Sequence, residues 1–184
     1  MKYLIIIDMQ NDFVTGPLGT PEAVAIVNRI KKKIEAHPQG KKIIFTRDTH
    51  FNRNYLKTLE GKKLPIKHCI YETPGWCIID VLREAVDNNN DIPVDYNFVR
   101  YINKHTFGNV DWNEKQMTDV TEIEIVGVCT DICVISNALI LKAIFPNIPI
   151  IVDASCCAGS TPEMHNKALD VMKSCQIEVI NENI

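Results

Sequence analysis

The chain has no apolar run approaching the roughly 20 residues that a membrane span needs, no low-complexity tract and no internal repeat. It also lacks a charge imbalance. Its 20 Lys and Arg against 23 Asp and Glu leave a net charge of -3, with the two signs interspersed. No basic face announces nucleic acid and no acidic tail announces a basic partner, so small neutral or weakly charged ligands are the easier guests. Glycine and proline are sparse, 8 and 9 of 184 residues, beside a hydrophobic content of 46%. One compact domain over residues 1–184 fits that length and can bury a real core.

Cysteine is plentiful, but a disulfide framework is missing. The 7 cysteines are an odd number without scaffold spacing or a C-x-x-C pair, in a chain large enough to fold without covalent staples. They are expected to be reduced thiols. The first residues run straight into K-Y-L-I-I-I-D, with no signal-peptide pattern, and the expected location is cytoplasmic.

Short apolar runs rich in branched residues mark strands at Tyr3 to Ile7, Lys42 to Thr46, Glu122 to Val128, Ile148 to Val152 and Gln176 to Ile180, with a weaker one at Asn97 to Ile102. Helical patterns fall between them. The clearest is Pro21 to His37, where Ala23, Ile26, Val27, Ile30 and Ile34 share a face opposite Lys31, Lys32, Lys33 and Glu35, and Pro21 suits the first turn. Others are expected at Gly75 to Val86, Asp131 to Ala143 and Pro162 to Lys173. This alternation predicts an α/β fold with a mainly parallel sheet covered on both faces and joined by right-handed crossovers. The polar stretches Phe51 to Pro74 and Asn88 to Asp95 read as loops, the first long enough to bind a ligand.

Sheets of this kind bind ligands at the carboxyl ends of their strands, near the point where strand order reverses. There the sequence places Asp8 after the first strand, Asp48 and His50 after the second, Lys104 after the third, and Cys129 to Cys133 after the strand ending at Val128. Cys133 follows a Gly turn and a Thr-Asp helix start, where unpaired N–H groups favour a thiolate and draw its pKa toward neutrality. The plainer alternative is a small buried hydrophobe. A thiol acting on a carbonyl needs a base and a cation, which Asp8 and Lys104 could supply. Asp8 follows three isoleucines into the sheet's centre, where an unpaired charge is costly and a partner is required. Asp48-x-His50, with His68 brought over by the long loop, offers two imidazoles and one carboxylate suited to Zn²⁺, Fe²⁺ or Mn²⁺, although unrelated loop histidines would show the same spacing. Cys129 and Cys133, four apart, make a poor redox pair.

Taken together, these segments resemble the isochorismatase-like cysteine hydrolases, and within them the nicotinamidase/pyrazinamidase branch. The likeness rests on I-I-I-D-M-Q-N-D-F, T-R-D-T-H, L-P-I-K-H-C-I-Y-E-T-P-G, N-K-H-T-F-G and V-G-V-C-T-D-I-C-V, in that order along almost the whole chain. It implies a three-layer α/β/α fold on a six-stranded, mostly parallel sheet, with Asp8, Lys104 and Cys133 as a catalytic triad. It further implies a divalent metal, zinc first with iron or manganese as alternatives, on Asp48, His50 and His68. A cis Val128–Cys129 peptide would set an oxyanion hole from the N–H groups of Cys129 and Cys133. Phe13 and Phe107 would pack on a substrate ring, with the metal on its nitrogen. The implied reaction turns nicotinamide, or pyrazinamide, into the acid and ammonia through a thioester, within NAD salvage, in a protein that forms homo-oligomers.

Leu64 stands where that branch usually carries an aromatic residue, which implies a missing wall in the ring pocket, and Glu72 replaces a frequent glycine. Two other readings stay open: a sister cysteine hydrolase acting on a carbamoyl or ureido compound, and a non-catalytic α/β binding module.

Overall fold

The computed structural model describes residues 1–36, 41–89, 92, 98–113 and 117–182. Six strands form one sheet: β1 (Lys2–Ile7), β2 (Lys42–Asp48), β3 (Val99–Lys104), β4 (Glu122–Val128), β5 (Ile150–Ala158) and β6 (Glu178–Ile180). Their order is β3-β2-β1-β4-β5-β6, and every pairing is parallel. The chain builds outward from β1 to β2 and β3, then returns to lay β4 on the other side. The reversal between β1 and β4 opens a crevice at the carboxyl ends of those two strands.

The central strands are apolar on both faces because helices cover both. Tyr3 to Ile7 are all buried. On one face α2 (Pro21–Glu35) lays down Ala23, Ile26, Ile30 and Ile34, with α4 (Asp80–Asp87) adding Leu82, Ala85 and Val86. On the other, α5 (Ile135–Ile144) and α6 (Pro162–Ser174) contribute Ala138, Leu141, Leu169 and Met172. Each buried Ile, Leu, Val or Met side chain among them contributes about 1.5–3 kcal/mol relative to exposure. Helix α2 begins as expected, with Pro21 in its first turn and the Thr20 hydroxyl accepting from Ala23 N at 3.0 Å. Among the described residues, no helix is long and apolar enough to cross a membrane.

Several boundaries differ from the periodicity. The helix expected from Gly75 starts only at Asp80, because Pro74–Trp76 forms a 3₁₀ turn and the next residues are extended. They pair with the turn after β1: Asn11 N bonds Cys77 O at 3.0 Å and Ile79 N bonds Met9 O at 3.0 Å. That turn also holds a short helix, α1 (Asn11–Val14), too brief for a periodic signal. Strand β5 begins two residues late and runs on to Ala158, its polar Asp153 and Ser155 paired with each other and Asp153 with Lys33. The loop from Phe51 contains a 3₁₀ turn at Tyr55–Lys57 and a short helix α3 (Leu59–Lys63). Of the expected elements, His37 and Asn97 and most of the Asn88 to Asp95 loop lie outside the described residues.

Candidate active site

The carboxyl ends of β1, β3 and β4 bring Asp8, Lys104 and Cys133 together. Asp8 follows β1 in a left-handed conformation, φ 50°, a backbone state that non-glycine residues seldom hold without support. Thr46 on β2 supplies part of that support: its hydroxyl donates to Asp8 Oδ1 at 2.7 Å, and its oxygen accepts from Asp8 N at 3.1 Å. Lys104 Nζ lies 2.6 Å from Asp8 Oδ2, 3.6 Å from Asp48 Oδ1 and 3.5 Å from Cys133 Sγ. The contact with Asp8 Oδ2 is a close, buried ion pair.

All three groups are buried, and burial sets their proton affinities. It pushes the Asp8 carboxyl up, with Lys104 pulling the other way and Asp48 adding to the rise. It also holds the Cys133 thiol well above its ordinary value, against the pull of Lys104. For Lys104, burial works against the ammonium, but the Asp8 and Asp48 carboxylates outweigh it and its proton affinity ends raised. The thiolate near neutrality expected from a helix start is therefore corrected: Cys133 rests as a thiol. The local backbone also differs from the expectation. Cys133 lies in a π-helical turn, Thr130–Val134, rather than the first turn of an α-helix, and α5 begins only at Ile135. The Val128–Cys129 peptide before it is cis, as expected.

Beside this cluster is a shell of metal-type donors. The ligand atoms of Asp48, His50, His68 and Glu60 all lie within 4.8 Å of one another. His50 Nε2 is 2.9 Å from Asp48 Oδ2 and 3.4 Å from Glu60 Oε1, while His68 Nε2 is 3.5 and 3.6 Å from the same two oxygens. Yet buried His50 Nε2 makes no hydrogen bond among the described residues. His68 Nδ1 faces the Ile66 carbonyl at 2.8 Å, which fixes the tautomer that turns the Nε2 lone pair inward. Two imidazoles and two carboxylates converging on one point are a donor set that fits a divalent cation. Without one, burial disfavours charge on His50, but Asp48 and Glu60 prevail and hold its pKa at about 9.

Glu60 was not a sequence candidate. It sits on α3, five residues long, and its only signal is a carboxylate in the loop between His50 and His68. Also missed was Gln10, fully buried, which accepts from Asp48 N at 2.7 Å and donates to Asp48 O at 2.9 Å, pinning the end of β2.

A cavity of about 290 Å³ opens between the two groups. Cys129 and Cys133 line one side and Asp48, Glu60 and His68 another, with Phe13, Leu64 and Phe107 among the apolar walls. Phe13 tilts against His68 with ring centroids 5.4 Å apart. The wall expected to be missing at Leu64 is present and aliphatic, its backbone held by Tyr55 Oη donating to Leu64 O at 2.7 Å. Glu72, in place of a glycine, keeps the left-handed backbone at φ 62°.

A parallel α/β sheet with a carboxylate, an ammonium and a thiol at its switch point, beside a four-donor shell, places the chain among α/β proteins whose site lies where strand order reverses. More narrowly, the chain belongs to the isochorismatase family, whose domain model matches residues 2–183. It is 26% identical to the nicotinamidase of Saccharomyces cerevisiae, over 99% of this chain and 100% of that protein. The crystal structure of a pyrazinamidase/nicotinamidase from Streptococcus mutans superposes with a TM-score of 0.79 at 25% identity, covering 98% of this chain and 100% of the other. A pyrazinamidase from Pyrococcus horikoshii, solved in complex with zinc, superposes with a TM-score of 0.74 at 25% identity, covering 98% of both chains.

Proposed function

We propose that this amidohydrolase cleaves nicotinamide, and pyrazinamide with it, to the free acid and ammonia through a thioester on Cys133. The observation that carries the reading is the shared cavity: a thiol on one side, a cation-type shell on the other, and aromatic and aliphatic walls between them. A flat heteroaromatic amide meets all three at once. The relatives named for nicotinamide and pyrazinamide support the same substrate class.

In this reading Asp8 takes the thiol proton as the sulfur attacks the amide carbon, and the Lys104 ammonium balances the charge that gathers between them. The N–H groups of Cys129 and Cys133 stabilise the tetrahedral oxyanion. Asp8 returns the proton to the leaving nitrogen, ammonia departs and the thioester remains. Asp8 then takes a proton from water as it attacks the thioester, and the released sulfur is reprotonated with the acid set free. Asp48, His50, His68 and Glu60 would hold a divalent ion, zinc first, whose Lewis acidity would anchor a ring nitrogen. Phe13, Leu64 and Phe107 orient the ring.

The test is ammonia release from nicotinamide by purified protein whose metal content has been measured. Turnover confined to carbamoyl or ureido compounds would overturn the substrate. Cys133→Ala is expected to abolish turnover while metal is retained, and residual turnover would sink the covalent scheme. His50→Ala is expected to lose metal and raise KM first.

A further inference from the structure

Asn137 lies on α5, one turn beyond Cys133, and is fully buried on a helix whose other polar residues are Ser136 and Lys142. Its amide is saturated. Nδ2 donates to Cys133 O at 2.7 Å and to Phe107 O at 3.3 Å, while Oδ1 accepts from Asn109 N at 2.9 Å and from Trp112 Nε1 at 2.8 Å. A primary amide has two N–H donors and two acceptor lone pairs, and all four are engaged here. One partner belongs to the turn that carries the thiol. The other three belong to a single loop, and that loop carries Phe107.

Besides Asn137, the loop is held by packing and, at His105, by a contact of Nδ1 with Thr49 O at 2.9 Å. Trp112 is buried in the same cluster as Cys133 and Val134, and Gly108 lies against α5 so closely that an added Cβ would meet Ile140 Cδ1 at 2.5 Å. Phe107 itself is 48% exposed, so little besides its backbone fixes where its ring stands at the cavity mouth. The neighbouring Ser136 shows what an ordinary hydroxyl does on this helix: it donates back to Ile132 O at 2.6 Å and reaches no further. Asn137 does the same toward Cys133 and in addition spans to the loop.

We infer that Asn137 is a positioning residue that locks the Phe107 loop to the Cys133 turn and so sets where a ring-bearing amide sits relative to the sulfur. It touches neither the substrate nor the reacting atoms. The inference rests on the cavity being the amide site, and its test separates the two.

Asn137→Ser keeps a donor for Cys133 O, as Ser136 does for Ile132 O, and removes every tie to the loop. The expected result is a KM for nicotinamide raised about tenfold with kcat changed much less, together with a red-shifted Trp112 emission in a Trp76→Phe background. In a Phe107→Ala background, the KM effect of Asn137→Ser should nearly vanish, because the ring it positions is gone. Additive KM effects, or a lower melting temperature with KM and emission unchanged, would overturn the inference. Should the serine variant fail to fold, Asn137→Asp keeps the acceptor contacts to Asn109 N and Trp112 Nε1 and loses the donors to Phe107 O and Cys133 O; it is expected to raise KM for nicotinamide with Trp112 emission unshifted, and an unchanged KM would overturn the inference. If the unmutated protein turns over no nicotinamide, the substrate reading fails separately. Trp112 emission and the rate of Cys133 alkylation by iodoacetamide then decide the positioning role: a several-fold rate change with an emission shift supports it, and neither changing overturns it.

Discussion

Gly127→Ala tests how closely the sheet sets the site. Gly127 pairs with Ile7 across β1 and β4 at φ 119°, and an added Cβ would stand 2.1 Å from Ile7 O and 2.8 Å from Ile7 N. Backbone strain of about 1–3 kcal/mol adds to overpacking of about 1–3 kcal/mol in a layer without free volume. For a domain of this size each kcal/mol moves Tm by about 2–4 °C, so a fall of roughly 5–20 °C is expected by calorimetry. The effect reaches catalysis because Ile7 directly precedes Asp8, while Gly127 lies two residues before Cys129. Parting β1 from β4 loosens the contacts of 2.6 Å between Lys104 and Asp8 and 3.5 Å between Lys104 and Cys133. Under conditions where the variant is folded, kcat for ammonia release should therefore fall more than KM rises. Metal content serves as the internal control: the four donors sit on β2 and the segment after it, away from the β1–β4 seam, and should still bind. A variant with unchanged Tm and unchanged kcat would refute this reasoning.

Lys104→Met removes the cation facing Asp8, Asp48 and Cys133 and leaves buried carboxylates unpaired, at a cost of about 3–5 kcal/mol; urea unfolding and loss of ammonia release check it, and a stable, active variant would contradict the site. Glu60→Gln is expected to weaken metal binding about tenfold or more in competition with a chelator, whereas unchanged affinity would remove Glu60 from the shell. Beneath α2, Lys33 reaches Glu124 at 2.5 Å and Asp153 at 2.7 Å. Burial raises both carboxyls, but Lys33, joined by Lys41 at Glu124 and by Ser155 at Asp153, outweighs it, and both end below their ordinary values. A depressed folded pKa stabilises above the unfolded value of about 4 and is lost as pH falls through the folded one. Asp153→Asn should therefore lower Tm at pH 7 and flatten its decline on acidification, and parallel curves for the two proteins would exclude the coupling.

Local physics made much of this protein legible in one dimension. Short branched apolar runs bounded by polar turns favour buried strands, and the 3.6-residue stripe of α2 needs an apolar surface to cover it, so the alternating α/β order is legible in the periodicity. Because active groups in such folds gather at the carboxyl ends of strands, Asp8, Asp48, His50, Lys104 and Cys133 could be singled out from position alone. The rest depends on distance through space. Glu60 rides a helix too short to show a period, and only chain folding brings it to the histidines. Asn137 reads as one polar residue on a core helix until the loop at Phe107 closes over it. The state of Cys133 shows the division most clearly: sequence placed a thiol near a helix start, where it would be acidic, but its proton affinity is an energy of burial and of neighbours remote in the chain. Only tertiary packing excludes water from the sulfur, sets a single ammonium among three acidic groups, and so makes Cys133 a resting thiol beside a base.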